Sequence, residues 1–236
     1  MRRYQQRPIQ TLQKLGLLDT PKTLLAHCVW ADADEIDLLK QNQVGVAHNP
    51  ISNMKLASGA APIVDMLKYG VAVGLGTDGE KENNNLDLFE EMKTASLLAK
   101  FKHLDAAALD AWSVCEMATS LGAKALGMQN EIGSLEVGKY ADVIAVNCMT
   151  PRMTPFIAQG ALFNVHHNLV HAVQGQDVTM TMVNGQVVVE QGKLVRANLI
   201  DLISAVNTAA PQLFLRREQW LEQQGSVMNE LKRVSI

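Results

Sequence analysis

Aromatic residues and cysteines are scarce in this chain of 236 residues. Phe, Trp and Tyr make up 5% of it, whereas Met occurs eleven times, so the methionines are expected to fill a core rather than to form a sulfur-ligand site. The three cysteines, Cys28, Cys115 and Cys148, lie far apart and form no CxxC pattern. This spacing predicts reduced thiols in a cytoplasmic protein.

The chain also lacks the sequence features of membrane proteins and of nucleic-acid-binding proteins. No segment approaches the roughly 18 apolar residues that a membrane-spanning helix needs. The opening residues 1–7 are basic, but no apolar segment follows them as in a signal peptide. The net charge is −3 and the pI is near 6.1, so no basic surface for phosphates is expected. We therefore expect neither a membrane nor a nucleic acid as a partner.

The first half of the chain alternates short apolar runs with helical patterns. The apolar runs are Thr23–His27, Val44–Ala47 and Val71–Leu75, and the segment Asp32–Gln41 has the capping residue and apolar spacing of a helix. Continuous apolar strands alternating with helices predict a parallel sheet in an α/β fold. The strand spacing suits either a doubly wound sheet or a (β/α)8 barrel. The absence of a GxGxxG motif and of a P-loop disfavours a nucleotide-binding domain.

The second half contains further helices, a small β module and a C-terminal helix. Residues 86–127 are predicted to form two helices that are broken near His103–Asp105. Strand-like segments 178–183 and 186–190 flank Asn184-Gly185, a dipeptide that is typical of a type I′ hairpin turn. Residues 141–146 are predicted to form another strand. A polar amphipathic helix is expected from about Asn198 to Gln224.

Three titratable residues lie at the carboxyl ends of the predicted strands. His27 ends the first strand, His48 ends the second and Asp78 ends the third. Because ligands bind beyond the carboxyl ends of parallel strands, we expect these side chains to face one site. Taken singly, each could be a structural residue or, for Asp78, a turn residue. Because all three occupy the same position, at the carboxyl end of a strand, a shared active site is favoured.

Polar residues that follow two of these strands have both a functional and a structural interpretation. Asn49 and Asn53 could reach a base-like ligand, or they could belong to a surface loop. Residues 83–85 are three consecutive asparagines, which could cap the next helix or hold the loop that carries Asp78.

The remaining histidines and the first cysteine give weaker signals. His167 and His171 have helical i, i+4 spacing, but no acid lies between them, so a surface cluster with His166 is favoured over a metal site. His103 is expected to be solvated. Cys28 adjoins His27, and strand alternation predicts that it packs away from the site.

Several motifs resemble those of one enzyme superfamily. They are LGLLD at 15–19, AHCVW at 26–30, AHNPISNMKLASG at 47–59, LGTDG at 75–79, NNNLDLFEEM at 83–92, IGSLEVGKYADVIAV at 132–146 and VNGQVVVEQGKLV at 183–195. In this order they resemble the amidohydrolase superfamily, within it the methylthioadenosine/S-adenosylhomocysteine deaminase and triazine-chlorohydrolase group. The resemblance implies an α/β fold that is the C-terminal part of a (β/α)8 TIM-type barrel, about strands six to eight. It implies barrel residues at 1–130, a β-sandwich portion at 131–196 and a C-terminal helical segment at 197–236.

The resemblance also implies a chemistry and a set of site residues. Asp78 is expected to ligate a divalent metal, zinc or iron in the family, and to take a proton from metal-bound water, whose pKa the metal lowers toward ~7. His27 is expected to polarise that water or the developing charge. Trp30, His48, Asn49 and Asn53 are expected to contact the substrate. The implied reaction is hydrolysis of a C–N or C–Cl bond on a purine-like or triazine-like ring, with aminated purine nucleosides as the first expectation, ahead of guanine-like bases and triazines.

The sequence departs from the family pattern in the metal site. It contains no HxH motif, and the family's strand-five histidine and glutamate have no counterpart in it. Residues 80–82 also place bulk and charge after the LGTDG motif, where small residues are usual. One carboxylate and one imidazole hold zinc less tightly than three or four ligands. We therefore expect the isolated chain to be inactive and to need a missing N-terminal half. The alternative is a non-catalytic remnant that persists as a homo-oligomer.

Overall fold

A computed structural model describes residues 6–20 and 22–224. A three-stranded sheet at its centre has the order β1-β2-β3, with all neighbouring strands parallel. The strands are β1 (Leu24–Ala26), β2 (Gly45–His48) and β3 (Val73–Leu75). The predicted parallel sheet is therefore confirmed.

Helices cover this sheet and enclose the hydrophobic core. The helices that precede or connect the strands are α1 (Pro8–Lys14), α2 (Ala33–Gln41), α3 (Pro50–Lys55) and α4 (Ile63–Lys68). Those that follow β3 are α5 (Glu80–Asn83), α6 (Leu88–His103), α7 (Ala111–Met117) and α8 (Ser120–Ala125). Fully buried core residues include Val46 of β2, Val73 of β3, Leu39 of α2 and Val114 of α7. The apolar runs of β2 and β3 are thus largely buried, as expected within a parallel sheet, whereas the edge strand β1 is exposed at Leu24 and Ala26.

Helix α2 begins where its sequence predicts. The Asp32 side chain accepts a hydrogen bond from the Glu35 amide at 3.0 Å, and the Glu35 side chain accepts one from the Asp32 amide, which completes a capping box. Glu35 is 1% exposed and also accepts hydrogen bonds from Arg7 Nε and the Ile9 amide, both at 2.9 Å. One buried carboxylate therefore fastens α1 to α2.

The β module forms a second, antiparallel sheet of order β4-β5-β6-β7. Its strands are β4 (Val143–Val146), β5 (Val178–Val183), β6 (Gln186–Glu190) and β7 (Lys193–Leu194), and α9 (Val165–His171) lies between β4 and β5. Asn184 and Gly185 have φ angles of 48° and 75°, so the predicted hairpin turn is confirmed. The amide of Gly175 donates to Asp87 at 2.8 Å and joins this module to the start of α6.

Three segments differ from the sequence-based expectation. Residues 86–127 contain three helices rather than two, because a turn at Thr119 separates α7 from α8. Residues 50–55 form the short helix α3 instead of an exposed loop, and Ser52 and Asn53 on it are buried. Helix α10 (Leu199–Gln223) has the predicted bounds, but none of its residues is buried in the described part of the chain. None of the described helices is both long and apolar enough to cross a bilayer.

Candidate active site

The carboxyl ends of β1 and β3 bring His27 and Asp78 together. His27 follows β1 directly, and its amide donates to the Ala47 carbonyl of β2 at 2.9 Å. Asp78 follows β3 after two residues, Gly76 and Thr77. His27 Nε2 lies 3.6 Å from Asp78 Oδ2. Both residues have positive φ angles, 68° and 61°, so the chain leaves the regular strand conformation where these side chains enter the site.

The Asp78 carboxylate is held by two hydrogen bonds. Ser52 Oγ of α3 donates to Oδ2 at 2.7 Å, and the Gly79 amide donates to Oδ1 at 2.9 Å. These donors lower the pKa of Asp78 below its ordinary value, with the Ser52 hydrogen bond as the largest cause. The side chain is therefore ionised at neutral pH, as a metal ligand or proton acceptor must be.

The His27 ring is oriented by the Asn53 side chain on the opposite side from Asp78. His27 Nδ1 lies 2.9 Å from Asn53 Oδ1, and because an amide oxygen only accepts, this contact requires the proton on Nδ1. Asn49 Nδ2 lies 3.4 Å from the same nitrogen and, as a second donor, makes no hydrogen bond to it in that tautomer. This arrangement leaves Nε2 to face Asp78. Gly76 leaves space for the Asn49 side chain, because a Cβ there would overlap Asn49 Oδ1. Asn53 Nδ2 is buried and has no partner among the described residues.

An open cleft of about 830 Å³ adjoins this pair. Asn53, Asp78 and Trp30 all line it, and the Trp30 side chain is 77% exposed there. Glu82 is another lining residue, as the sequence predicts for the charged segment after the LGTDG motif. Trp30 is anchored through its backbone carbonyl, which accepts a hydrogen bond from Arg7. The cleft is therefore lined by an aromatic ring, an amide side chain and a carboxylate.

His48 and Asn49 do not line the cleft, unlike His27, Trp30, Asn53 and Asp78. His48 faces a different space. Its side chain is 2% exposed and lines a small separate cavity with Ile63, Ala99 and Lys102. Burial lowers the pKa of His48 to about 3, helped by the charges of His27 and Lys102, so the ring is neutral. Because alternate residues of a strand point to opposite sides, its position at the end of β2 does not by itself make it a site residue.

A buried layer behind the site includes Glu91, which has no individual role in the sequence analysis. Glu91 accepts a hydrogen bond from the Ile51 amide at 3.2 Å and one from Asn83 Nδ2 at 2.6 Å. Asn83 Nδ2 also donates to the Thr77 carbonyl at 2.7 Å. Asn83 therefore holds the loop that carries Asp78, whereas Asp87 caps α6 by accepting from the Phe89 amide.

A sequence signal for Glu91 exists in its spacing. Glu91, Ala95 and Ala99 are four residues apart on α6, and all three are buried. An acid in register with the apolar face of a helix needs hydrogen-bond partners, so this pattern marks a buried polar contact.

Cys28 and the histidines of α9 take no part in the His27–Asp78 contacts. Cys28 packs against the hydrophobic core and also lines the cleft, because its φ of 44° ends the strand alternation assumed for it. Burial raises the pKa of its thiol to about 11, so it is a poor nucleophile at neutral pH. His166 stacks on Phe163 with 5.5 Å between ring centroids. Among residues 6–20 and 22–224, no three His, Cys, Asp or Glu side chains form a group that could hold a metal ion.

The amidohydrolase family model matches residues 3–188, which is most of the chain. This chain belongs to the amidohydrolase family. A 5'-deoxyadenosine deaminase of Methanosarcina acetivorans is 46% identical over 214 residues, which cover 91% of this chain and 48% of that protein. A 5-methylthioadenosine/S-adenosylhomocysteine deaminase of Syntrophomonas wolfei is 44% identical over 82% of this chain and 44% of its own length. The family resemblance stated from the motifs is therefore confirmed.

Solved structures of the amidohydrolase family have the same fold over the matched region. A zinc-bound adenosine deaminase from Xanthomonas campestris superposes with a TM-score of 0.84 at 34% identity, over 91% of this chain and 47% of that chain. The zinc complex of an atrazine chlorohydrolase from Arthrobacter aurescens gives a TM-score of 0.72 at 26% identity, over 87% of this chain and 44% of that one. This chain thus spans about half the length of the amidohydrolases that it matches.

The donor groups in the described residues do not make a complete zinc site. Zinc sites in proteins have three or four protein ligands, whereas the cleft offers the Asp78 carboxylate and the adjacent His27 imidazole. A divalent metal is characteristic of related structures, which contain zinc. In this amidohydrolase, the predicted metal-binding role of Asp78 therefore requires ligands from elsewhere.

Proposed function

We propose that this chain provides one side of an amidohydrolase active site, which hydrolyses the C–N bond of an aminated purine nucleoside. The observation that carries this proposal is the pairing of His27 and Asp78, 3.6 Å apart at the carboxyl ends of parallel strands. The three strands would correspond to barrel strands six, seven and eight, since the family is built on a (β/α)8 barrel. The names of the Methanosarcina and Syntrophomonas relatives support deamination over dechlorination.

Asp78 is proposed as the proton acceptor and His27 as the group that polarises the attacking water by accepting a hydrogen bond from it at Nε2. A carboxylate that stays ionised at neutral pH can accept a proton from an attacking water molecule. The imidazole Nε2 faces the same space because Nδ1 is engaged by Asn53. Fixing the ring in this way pre-organises the group for catalysis, so it need not reorient during the reaction.

Trp30 and Asn53, which line the cleft, are the proposed substrate-side residues. The exposed Trp30 ring can stack on a flat heterocycle, and Asn53, which lines the same cleft, orients the His27 ring. Asn49 does not line the cleft, although its Nδ2 lies 3.4 Å from His27 Nδ1. His48 is not included, because it faces a different cavity.

The remaining ligands are proposed to come from a segment that corresponds to the uncovered half of the relatives. Three observations support this part of the proposal. The described residues supply one carboxylate and one imidazole, and the chain spans 48% of its Methanosarcina relative. The outer edge of β1 is unpaired in the described sheet, so a further strand could add there.

A complementation experiment tests the proposed function. This chain is co-expressed with the N-terminal half of the Methanosarcina relative, and the purified complex is assayed for zinc content and for ammonia release from 5'-deoxyadenosine. We expect activity from the complex, none from either part alone, and a loss of at least about 100-fold for Asp78→Asn, in line with the loss of a catalytic acid–base group. Asp105→Asn is the matched control, since Asp105 is exposed and only accepts from the Ala107 amide in a turn.

The outcomes of this experiment separate the alternatives. A stable complex that binds zinc but releases no ammonia from any purine nucleoside would contradict the proposed reaction. If the chain does not bind the added N-terminal half, and light scattering shows that the chain alone forms a stable oligomer, the non-catalytic alternative is favoured.

A further inference from the structure

We infer that Glu91 is a positioning residue, which fixes the positions of His27 and Asp78 through two separate chains of hydrogen bonds. We call these chains the two arms. Its side chain is fully buried, and its only hydrogen-bond partners among the described residues are the Ile51 amide and Asn83 Nδ2. Both partners belong to segments that lead directly to the site. The inference deepens the proposed function, and its relevance to catalysis rests on that function.

The first arm fixes helix α3. Asn49, the N-cap residue of α3, makes no capping hydrogen bond, because its side chain is turned toward His27. The Glu91 carboxylate of α6 accepts from the Ile51 amide in the first turn and so takes the place of the missing cap. The next two residues of α3 then contact the site: Ser52 donates to Asp78, and Asn53 orients the His27 ring.

The second arm fixes the loop between β3 and Asp78. Asn83 Nδ2 is shared between Glu91 Oε1 and the carbonyl of Thr77, the residue immediately before Asp78. Asp78 has a φ of 61°, an uncommon conformation for a residue other than glycine, and it needs support from its neighbours. Glu91 thus supports Asp78 from both sides, through Ser52 on α3 and through Thr77 in the loop.

The chemistry of the two arms requires a carboxylate. Both partners of Glu91 are N–H donors, so the side chain must accept twice. A glutamine of the same size presents an N–H group to one of the two donors, and that contact is lost. An aspartate keeps the carboxylate but is one methylene shorter, so it cannot reach both α3 and Asn83.

The histidine ring itself reports on this network in the full chain. His27 Nδ1 lies 2.9 Å from Asn53 Oδ1, and since that oxygen can only accept, the contact favours the tautomer protonated on Nδ1. Long-range 1H–15N spectra of the 15N-histidine-labelled chain at pH 8 give the tautomer ratio of each ring. His27→Gln assigns the His27 signals among the six histidines.

Glu91→Gln is expected to reduce the Nδ1–H to Nε2–H ratio of His27 by about fivefold, the effect of one hydrogen bond. Glu91→Asp is expected to move the ratio in the same direction and serves if the first variant does not fold. Ser96→Ala is the matched control: Ser96 is buried on the same helix and donates to the Leu109 carbonyl, away from the site. It should lower the melting temperature and leave the His27 ratio unchanged.

The inference is overturned if the folded Glu91 variants keep the wild-type ratio while losing stability as Ser96→Ala does. In the complemented enzyme, Glu91→Gln should lower kcat by about tenfold with KM changed less than twofold, because the effect is on orientation. Because the tautomer ratio is measured without substrate, failure of the proposed reaction does not affect it. If the tautomer ratio of His27 shifts in the Glu91 variants but the complemented enzyme has no deaminase activity, the proposed function is contradicted and the positioning role of Glu91 still holds.

Discussion

Raising the pH should destabilise this chain through Glu91. Burial is the largest cause that raises the pKa of Glu91 to about 7, from an ordinary value of 4.5. The folded state therefore binds a proton more tightly than the unfolded state between these two values. The contribution of Glu91 to stability is fully present below pH 4.5, falls as the pH rises toward 7 and is constant above that.

The size of the effect follows from the pKa difference. A rise from 4.5 to about 7, at roughly 1.4 kcal/mol for each unit, corresponds to at most about 3 kcal/mol of unfolding free energy. His48 acts in the opposite direction, because its pKa is lowered to about 3 and the folded state resists protonation. Its contribution increases from about pH 3 to its ordinary pKa of 6.5. The two contributions oppose each other between pH 4.5 and 6.5.

The assay must therefore separate Glu91 from His48. Urea unfolding of the wild type and of Glu91→Gln is followed by circular dichroism at pH 5, 6, 7 and 8, and the difference in unfolding free energy is plotted against pH. Because His48 is common to both proteins, its contribution cancels. The wild type should lose about 1–3 kcal/mol relative to the variant between pH 5 and 8. A difference that is flat over this range, or that rises with pH, would refute the buried-carboxylate argument.

Two further predictions concern the packing around the central sheet. Glu35→Ala should lower the free energy of unfolding by about 3 kcal/mol, because it leaves Arg7 and the Ile9 amide without their acceptor. Hydrogen exchange should then show an early loss of amide protection in α1. Unchanged protection in α1 would contradict the role of Glu35 in joining α1 to α2. Gly45→Ala should cost about 2 kcal/mol or more by urea unfolding, because a Cβ at position 45 of β2 would overlap the Ala125 carbonyl of α8. Equal stability of Gly45→Ala and the wild type would mean that α8 is free to shift.

Local patterns anticipated much of the fold. The apolar runs ending at His27, Ala47 and Leu75 predicted three strands, and the alternation with helices predicted that they are parallel. The Asp32 capping box and the Asn184-Gly185 hairpin turn depend on residues within a few positions of each other, so they can be recognised in the sequence. Residues 50–55 could not be assigned in this way. Their helix is stabilised by Glu91, forty residues further along the chain from Ile51.

The same distinction applies to the candidate site. The sequence by itself determined which strand ends carry chemistry, because a strand's end and the residue that follows it are neighbours in the chain. Only the tertiary structure decided that His27 and Asp78 share a cleft, that His48 faces another cavity, and that Glu91 supports the pair from α6. The reason is physical: the direction of a side chain and the partner of a buried charge depend on segments that meet only when the helices pack against the sheet.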